Sequence, residues 1–415
     1  MTAPTITLEQ IVAAREIVRQ VISQTPIDSA RFLSEKLGSP VLLKCENMQR
    51  TGSYKIRGAT YRLSQLSEEQ RSRGVVAASA GNHAQGVAFA ARQLGIKATI
   101  FMPVGVPLPK LQATRGYGAE VVLTGVNVAD ALLAAKQFAA DTGAEFIHPY
   151  DHADIITGQA TLALDILEQA PDVDTIIVPI GGGGLISGVS VAAKLLGEQR
   201  GRPIRIIGVQ AANSAPFPVS LEAGHPVKIQ ARPTIADGIA VDVPGDITFE
   251  VVRDLVDEVV TVSEDDISRA ILLLVERAKL VAEPAGATAV AAILADKIKD
   301  AGTTVAILSG GNIDPLMLEK VLSRGLAASD RYLKLVIELQ DVPGQLALIA
   351  KTISEVNANV VEVLHTRHNK GLQVSHVELE VSVETRGTEH SHQVMDALRA
   401  LGYQPRTSRD AAPMP

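Results

Sequence analysis

From about residue 40 onward, apolar runs of four to seven residues alternate with amphipathic stretches of ten to sixteen. The short runs at 41–45, 75–78, 97–102, 120–123, 145–148, 175–180, 204–209, 258–262 and 303–308 predict strands. Helical spacing marks 56–66, 82–94, 128–141, 155–169, 185–196, 264–280 and 285–295. Such alternation predicts an α/β architecture with mostly parallel sheets. About nine strands are more than one simple mononucleotide fold holds, so the pattern predicts two sheets sharing one catalytic region.

The period changes near Ala327-Ala328-Ser329-Asp330. Residues 332–339 alternate as a strand. After Asp341-Val342-Pro343-Gly344 come a helical pattern over 345–357 and a strand over 360–366. A turn at Asn369-Lys370-Gly371 leads into an alternating run over 372–383, then a helix over 390–401. With a last strand after Tyr403 the order is β-α-β-β-α-β, the ferredoxin-like split motif. The expected division is a catalytic domain over 1–328, with a small subdomain at roughly 53–152, a second domain over 329–407, and a frayed tail at 408–415.

Composition narrows the class. Hydrophobic residues make up 46% and aromatics 3%, with no Trp, so aliphatic side chains fill the interior as in buried parallel sheets. The net charge of −7 and the lack of long like-charge runs argue against a nucleic-acid partner. Cys45 is the one cysteine and lies in an apolar run, which makes it a small core residue and rules out an internal disulfide. No apolar segment approaches about 18 residues and the N-terminus shows no secretory pattern, so the expectation is a cytoplasmic protein with no membrane partner.

The candidate chemistry sits at predicted strand ends. Lys55 lies in Ser53-Tyr54-Lys55-Ile56, where a strand gives way to a helix. Gly181-Gly182-Gly183-Gly184-Leu185 joins the strand 175–180 to the helix behind it. Its backbone N–H groups and the positive helix end suit a phosphate. It is neither a Walker loop nor a dinucleotide fingerprint. The bland alternative, a slack surface turn, fits poorly with so tight a junction. Ser79-Ala80-Gly81-Asn82-His83 opens another helix, with Ser79 as its expected cap, and suits a carboxylate. Taken alone it is an ordinary N-cap, and His83 alone is a helix-end hydrogen-bonding residue. Ser309-Gly310-Gly311-Asn312 is a further strand-end turn. Two anion sites and one amine fit pyridoxal 5'-phosphate acting on an amino acid, with Lys55 as the Schiff-base lysine.

These stretches carry a family resemblance. With Glu46–Gly58, Gly158-Gln159-Ala160-Thr161 and Ala236-Asp237-Gly238, they make residues 5–325 resemble the fold type II (β-family) pyridoxal-phosphate enzymes, most closely the threonine ammonia-lyase branch. Residues 331–405 resemble an ACT domain, with Asp341–Leu346 as its first loop. The resemblance implies a two-sheet fold like that of the tryptophan synthase β-subunit. It also implies deamination of L-threonine to 2-oxobutanoate, with L-serine giving pyruvate as a secondary reaction. Lys55 would hold the cofactor and carry the α-proton, Tyr54 would pack beside the ring, and Asn82 would bond the 3-hydroxyl. Gly181, Gly182, Gly183, Gly184 and Leu185 would bind the phosphate, and Ser309 would face the pyridine nitrogen. Ser79, Ala80, Gly81, Asn82 and His83 would hold the substrate carboxylate. Pro343, Gly344, Gln345 and Leu346 would bind an amino-acid effector, isoleucine or another branched-chain amino acid. A homodimer or homotetramer is implied, and isoleucine biosynthesis is the favoured setting.

Two departures bear on the reaction. Related serine racemases carry a serine where this chain has Ala80, so racemisation is expected to be weak. Some relatives bind a divalent cation after the strand ending at Val209, but Gln210-Ala211-Ala212-Asn213-Ser214 lacks the matching acids, so no metal is expected. The alternatives are a serine dehydratase, a racemase or another amino-acid lyase, and, outside catalysis, an ACT-based amino-acid sensor.

Overall fold

The structure, a computed structural model, describes residues 5–367, 373 and 375–407. The expected turn at 369–371, the first residue of the run 372–383 and the tail 408–415 lie outside them. The chain divides into two compact units, Met1–Leu318 and Glu319–Pro415, the division falling within helix Pro315–Ala328.

The first unit holds two sheets. The larger has six strands, β1 (Ile27–Ser29), β2 (Val41–Lys44), β7 (Thr175–Pro179), β8 (Arg205–Ala211), β9 (Glu258–Val262) and β10 (Thr304–Ile307), in the order β1-β2-β10-β7-β8-β9. All neighbours are parallel except β1 with β2. The smaller sheet is parallel, in the order β5-β4-β3-β6, from β3 (Val75–Ala78), β4 (Ala98–Met102), β5 (Glu120–Leu123) and β6 (Glu145–Phe146). Strands β3, β4 and β7 are buried along their whole length. Helices cover both of their faces, which is why their sequences read as unbroken apolar runs.

The second unit has β11 (Tyr332–Gln340), β12 (Asn359–Thr366), β13 (His376–Glu384) and β14 (Arg406–Thr407), antiparallel in the order β12-β13-β11-β14. Helices Gln345–Glu355 and Thr388–Ala400 complete the βαββαβ order. Alternate residues of β11 are buried, as a sheet with one covered face requires. No helix among the described residues is long and apolar enough to cross a membrane.

Several expected elements change. The strand expected over 145–148 stops at Phe146 because the chain turns there: His148 Nδ1 accepts from the amides of Tyr150 (3.3 Å) and Asp151 (2.8 Å). The helix expected over 264–280 is α-helical to Leu273, continues as one π-helical segment, Leu274–Ala278, and ends at Lys279 with φ 59°. The helix expected over 285–295 is regular only from Thr288 to Leu294. A further helix, Leu8–Arg19, starts at a capping box made by Thr7 and Gln10.

The helix that carries Lys55, Lys55–Ser64, is anchored by buried charge. The Arg57 guanidinium is bidentate to Glu46 (2.8 and 2.9 Å) and reaches Asp165 at 2.8 Å, with Arg57 and Glu46 fully buried. Burial pushes the Glu46 carboxyl up, but Arg57 outweighs it and holds the group below the usual carboxylate range. Asp165 lies on helix Ala153–Gln169, whose residues from Ile155 to Ile166 are all buried. That helix passes so close to the first that a Cβ at Gly158 would sit 2.7 Å from the Gly58 Cα.

Arg57→Met leaves the fully buried Glu46 carboxylate without its bidentate partner and takes one of its cations from Asp165, which keeps Arg15 at 3.1 Å. We expect a loss of about 3–5 kcal/mol in stability, read from the shift of the chemical denaturation midpoint.

Candidate active site

A cavity of about 500 Å³ opens where β3, β6 and β7 end. Most of the residues singled out from sequence line it: Tyr54, Lys55, Ser79 to His83, and Gly181 to Leu185. Ser309 is buried and does not line the cavity; its carbonyl accepts from the Tyr54 amide (3.1 Å). Pro343, Gly344, Gln345 and Leu346 lie in the second unit at the start of helix Gln345–Glu355, with Gln345 Oε1 accepting from the Tyr403 hydroxyl (2.5 Å).

The glycine run is built to present donors. Among the described residues, the amides from Gly181 to Ile186 have no protein acceptor. The Gly182 carbonyl is turned away from them, accepting from Thr248 Oγ1 (2.6 Å) and the Gly245 amide (3.4 Å). Gly183 has φ 101°, in the left-handed region, and begins helix Gly184–Arg200. Gly182 packs under the Tyr150 ring, where a Cβ would meet ring carbons at 2.3–2.4 Å. Free amides at the positive end of a helix this long fit a phosphate dianion.

A second donor group lies at helix Asn82–Gln93. Among the described residues, the amides of Asn82, His83 and Ala84 have no protein acceptor. The expected cap is corrected here: Gly81 occupies the N-cap position, and Ser79 Oγ instead accepts from the Gly81 amide (3.1 Å). A hydroxyl two residues from that amide closes a local turn and leaves the helix end open to a ligand. The His83 ring nitrogen Nε2 donates to the Ile147 carbonyl at 2.9 Å, and burial pushes its pKa down to about 3. His83 is therefore a neutral structural residue.

Lys55 Nζ donates to the Pro149 carbonyl at 3.4 Å and lies 5.7 Å from the Tyr54 ring centroid. Burial brings its pKa down to about 8, against the pull of Glu283. Asn82 Nδ2 donates to Glu283 Oε1 (2.6 Å), and Asn312 Nδ2 donates to Asn82 Oδ1 (2.8 Å). Burial, helped by Asp237, pushes the Glu283 carboxyl up to about 7.

Sequence reasoning passed over Glu283, His148, Tyr150 and Lys110, all of which line the cavity. Burial pushes His148 down to about 4, and its Nδ1 already accepts two amides, so the proton sits on Nε2. Burial raises the Tyr150 phenol to about 12. Lys110 pairs with Asp237 at 2.8 Å. Two signals were available: a lone acid in Val281-Ala282-Glu283-Pro284-Ala285, and His148-Pro149-Tyr150 at the same strand-end position as the other site segments.

Compared with known proteins, residues 18–310 match the pyridoxal-phosphate dependent enzymes and residues 330–403 match the ACT domain. The chain is 47% identical over 391 residues to an L-threonine ammonia-lyase of Geobacter sulfurreducens, covering 94% of this chain and 96% of that one. It is 46% identical over 402 residues to an L-threonine ammonia-lyase of Thermotoga maritima, covering 97% and 99%. Among solved structures, maize serine racemase matches with a TM-score of 0.73 at 36% identity, covering 78% of this chain and 99% of that one.

Only a neutral amine attacks an aldehyde, so if Lys55 is the amine that captures the cofactor, its pKa would set the rate of capture by cofactor-free protein. We expect capture of pyridoxal phosphate, followed by stopped-flow absorbance, to rise about tenfold per pH unit up to about pH 8 and then level off. An ordinary lysine would go on rising toward pH 10.5.

Proposed function

The chain belongs to the pyridoxal-phosphate dependent enzymes and carries an ACT domain behind its catalytic part, and on that premise we propose that it deaminates L-threonine to 2-oxobutanoate and ammonia. L-serine, one methyl group smaller, gives pyruvate as a secondary reaction. One observation carries the reading: a lysine amine held near neutrality opens on the same cavity as two sets of unpaired helix-end amides.

In this reading the amides of Gly181 to Leu185 would hold the cofactor phosphate, Tyr54 would pack beside its ring, and Lys55 would supply the amine that holds it. Asn82 would donate to the 3-hydroxyl, and Ser309, which is buried behind the cavity lining, would offer the pyridine nitrogen a neutral hydroxyl. The bound cofactor draws electrons from the substrate α-carbon. The loop from Ser79 to His83 holds the substrate carboxylate against the helix end. Lys55, whose pKa is brought down to about 8 by burial, would take the α-proton in its neutral form. The β-hydroxyl leaves as water, and the released enamine takes up water to give keto acid and ammonia. Ala80 offers no group to carry a proton, so Lys55 serves one enantiomer only, which separates this chain from racemases of the same fold.

The ACT domain supports binding of an amino acid. We place a branched-chain effector, isoleucine first, at Pro343 to Leu346, with feedback on the first step of isoleucine synthesis. A homodimer or homotetramer in the cytoplasm is the matching setting, and a single buried, unpaired Cys45 agrees with it.

Lys55→Ala is expected to lower 2-oxobutanoate formation from L-threonine by about 10³–10⁴-fold in a keto-acid assay, with no D-allothreonine, the product of inversion at the α-carbon, formed by the unaltered enzyme. Retention of normal turnover would overturn the assignment of Lys55. Calorimetric titration of the full chain with L-isoleucine is expected to give saturable heat that Leu346→Asp removes. No heat with any branched-chain amino acid would make the second unit an assembly element only.

A further inference from the structure

The side-chain amide of Asn82 is held from two sides. Its Oδ1 accepts from Asn312 Nδ2 at 2.8 Å, and its Nδ2 gives one hydrogen to Glu283 Oε1 at 2.6 Å. Rotating the amide by half a turn would set Oδ1 against the Glu283 oxygen and Nδ2 against the Asn312 nitrogen. One orientation is therefore fixed, and one N–H is left on a side chain that lines the cavity.

The two partners are themselves immobile. The Glu283 amide donates to the Gly310 carbonyl at 3.0 Å, and its carboxylate lies so close to Gly310 that a Cβ there would meet Oε1 at 2.3 Å. Asn312 Nδ2 also reaches the Thr51 carbonyl (2.7 Å) and Gln85 Oε1 (3.3 Å). Gly52 packs against the same amide, where a Cβ would meet Asn312 Oδ1 at 2.1 Å. Residues from four separate stretches, near 51, 82, 283 and 312, thus form one chain of contacts, with Glu283 and Asn312 on the Asn82 amide and Thr51 on Asn312.

We propose that Glu283 is a positioning residue: by taking one hydrogen of the Asn82 amide, with Asn312 fixing its oxygen, it aims the remaining N–H at the cofactor ring. The inference rests on the cofactor reading above. It gives a purpose to a buried carboxylate that the elimination does not otherwise use. Glu283 is 4% exposed and accepts a hydrogen bond from a side chain 201 positions earlier. Burial keeps the acid from being a fixed full charge near neutrality, so its tie to Asn82 is geometric as much as electrostatic.

The test is a double-mutant cycle on cofactor affinity, measured by fluorescence titration of cofactor-free full-length protein with pyridoxal phosphate. Glu283→Ala is expected to weaken binding about tenfold, the scale of one hydrogen bond to a charged group. Glu283→Gln, which keeps an acceptor, restores it to within about threefold. The double variant Asn82→Ala/Glu283→Ala binds no worse than Asn82→Ala alone, because Glu283 acts through Asn82. The absorbance maximum of bound cofactor shifts in Glu283→Ala as it does in Asn82→Ala. If Glu283→Ala fails to fold, Asn312→Ala probes the clamp from its other side with the same expected weakening and the same cycle. Additive losses in the double variant, or an unchanged affinity in Glu283→Ala beside a large loss in Asn82→Ala, overturn the positioning role and leave the cofactor site standing. Full affinity in both Asn82→Ala and Lys55→Ala would instead overturn the cofactor site itself.

Discussion

The cation of Arg57 has no exposure to water and two carboxylates to satisfy it. Those carboxylates come from the segment after β2 and from the helix Ala153–Gln169, so one side chain ties the catalytic helix to both. Asp165 is shared further, with Arg15 of the helix Leu8–Arg19 at 3.1 Å. Replacing such a cluster with hydrocarbon costs little in principle, whereas taking away one member leaves a charge stranded. The cluster therefore behaves as a single structural part. It fixes the start of helix Lys55–Ser64, and hence the place where Lys55 enters the cavity.

Two cations on that helix have opposite fates for one reason. Arg57 is buried with partners in contact and stays charged. Lys55, two residues earlier, is half-buried at the cavity wall with the Pro149 carbonyl as its hydrogen-bond partner, and its pKa comes down to about 8. The anion sites follow the same logic in reverse. The amides of Gly181 to Ile186 and of Asn82 to Ala84 stay unpaired because helix ends leave them so, and the surrounding packing keeps side chains from reaching them. The site is thus assembled from unmet demands: an amine without a carboxylate, and amides without acceptors.

Much of this was legible in the sequence because it is local. The alternation of short apolar runs with helical stretches predicted two parallel sheets, and the change of period near residue 328 predicted the βαββαβ unit. Asn82 and the four glycines were found because each follows the end of a strand, and Lys55 because it opens the helix after one. What was hidden is what depends on residues distant in the chain. Glu283 gains its meaning from Asn82, which no spacing reveals. Ser79 looked like a cap, but a turn two residues long claimed its oxygen and left the helix end bare. The strand expected at 145–148 was shortened by a histidine ring that reached forward for two amides. In each case a side chain outbid the backbone pattern.

The lowered proton affinity of Lys55 has a consequence outside the catalytic cycle. A half-buried amine that is about half deprotonated at pH 8 is a nucleophile toward any small electrophile that fits a cavity of about 500 Å³. Aldehydes of metabolism, cyanate and activated acyl groups all meet that description. If Lys55 holds the cofactor as proposed, its covalent attachment would consume the same lone pair. The cofactor would then also be a protecting group, and newly made chains that wait for it would be the ones exposed to chemical ageing at Lys55.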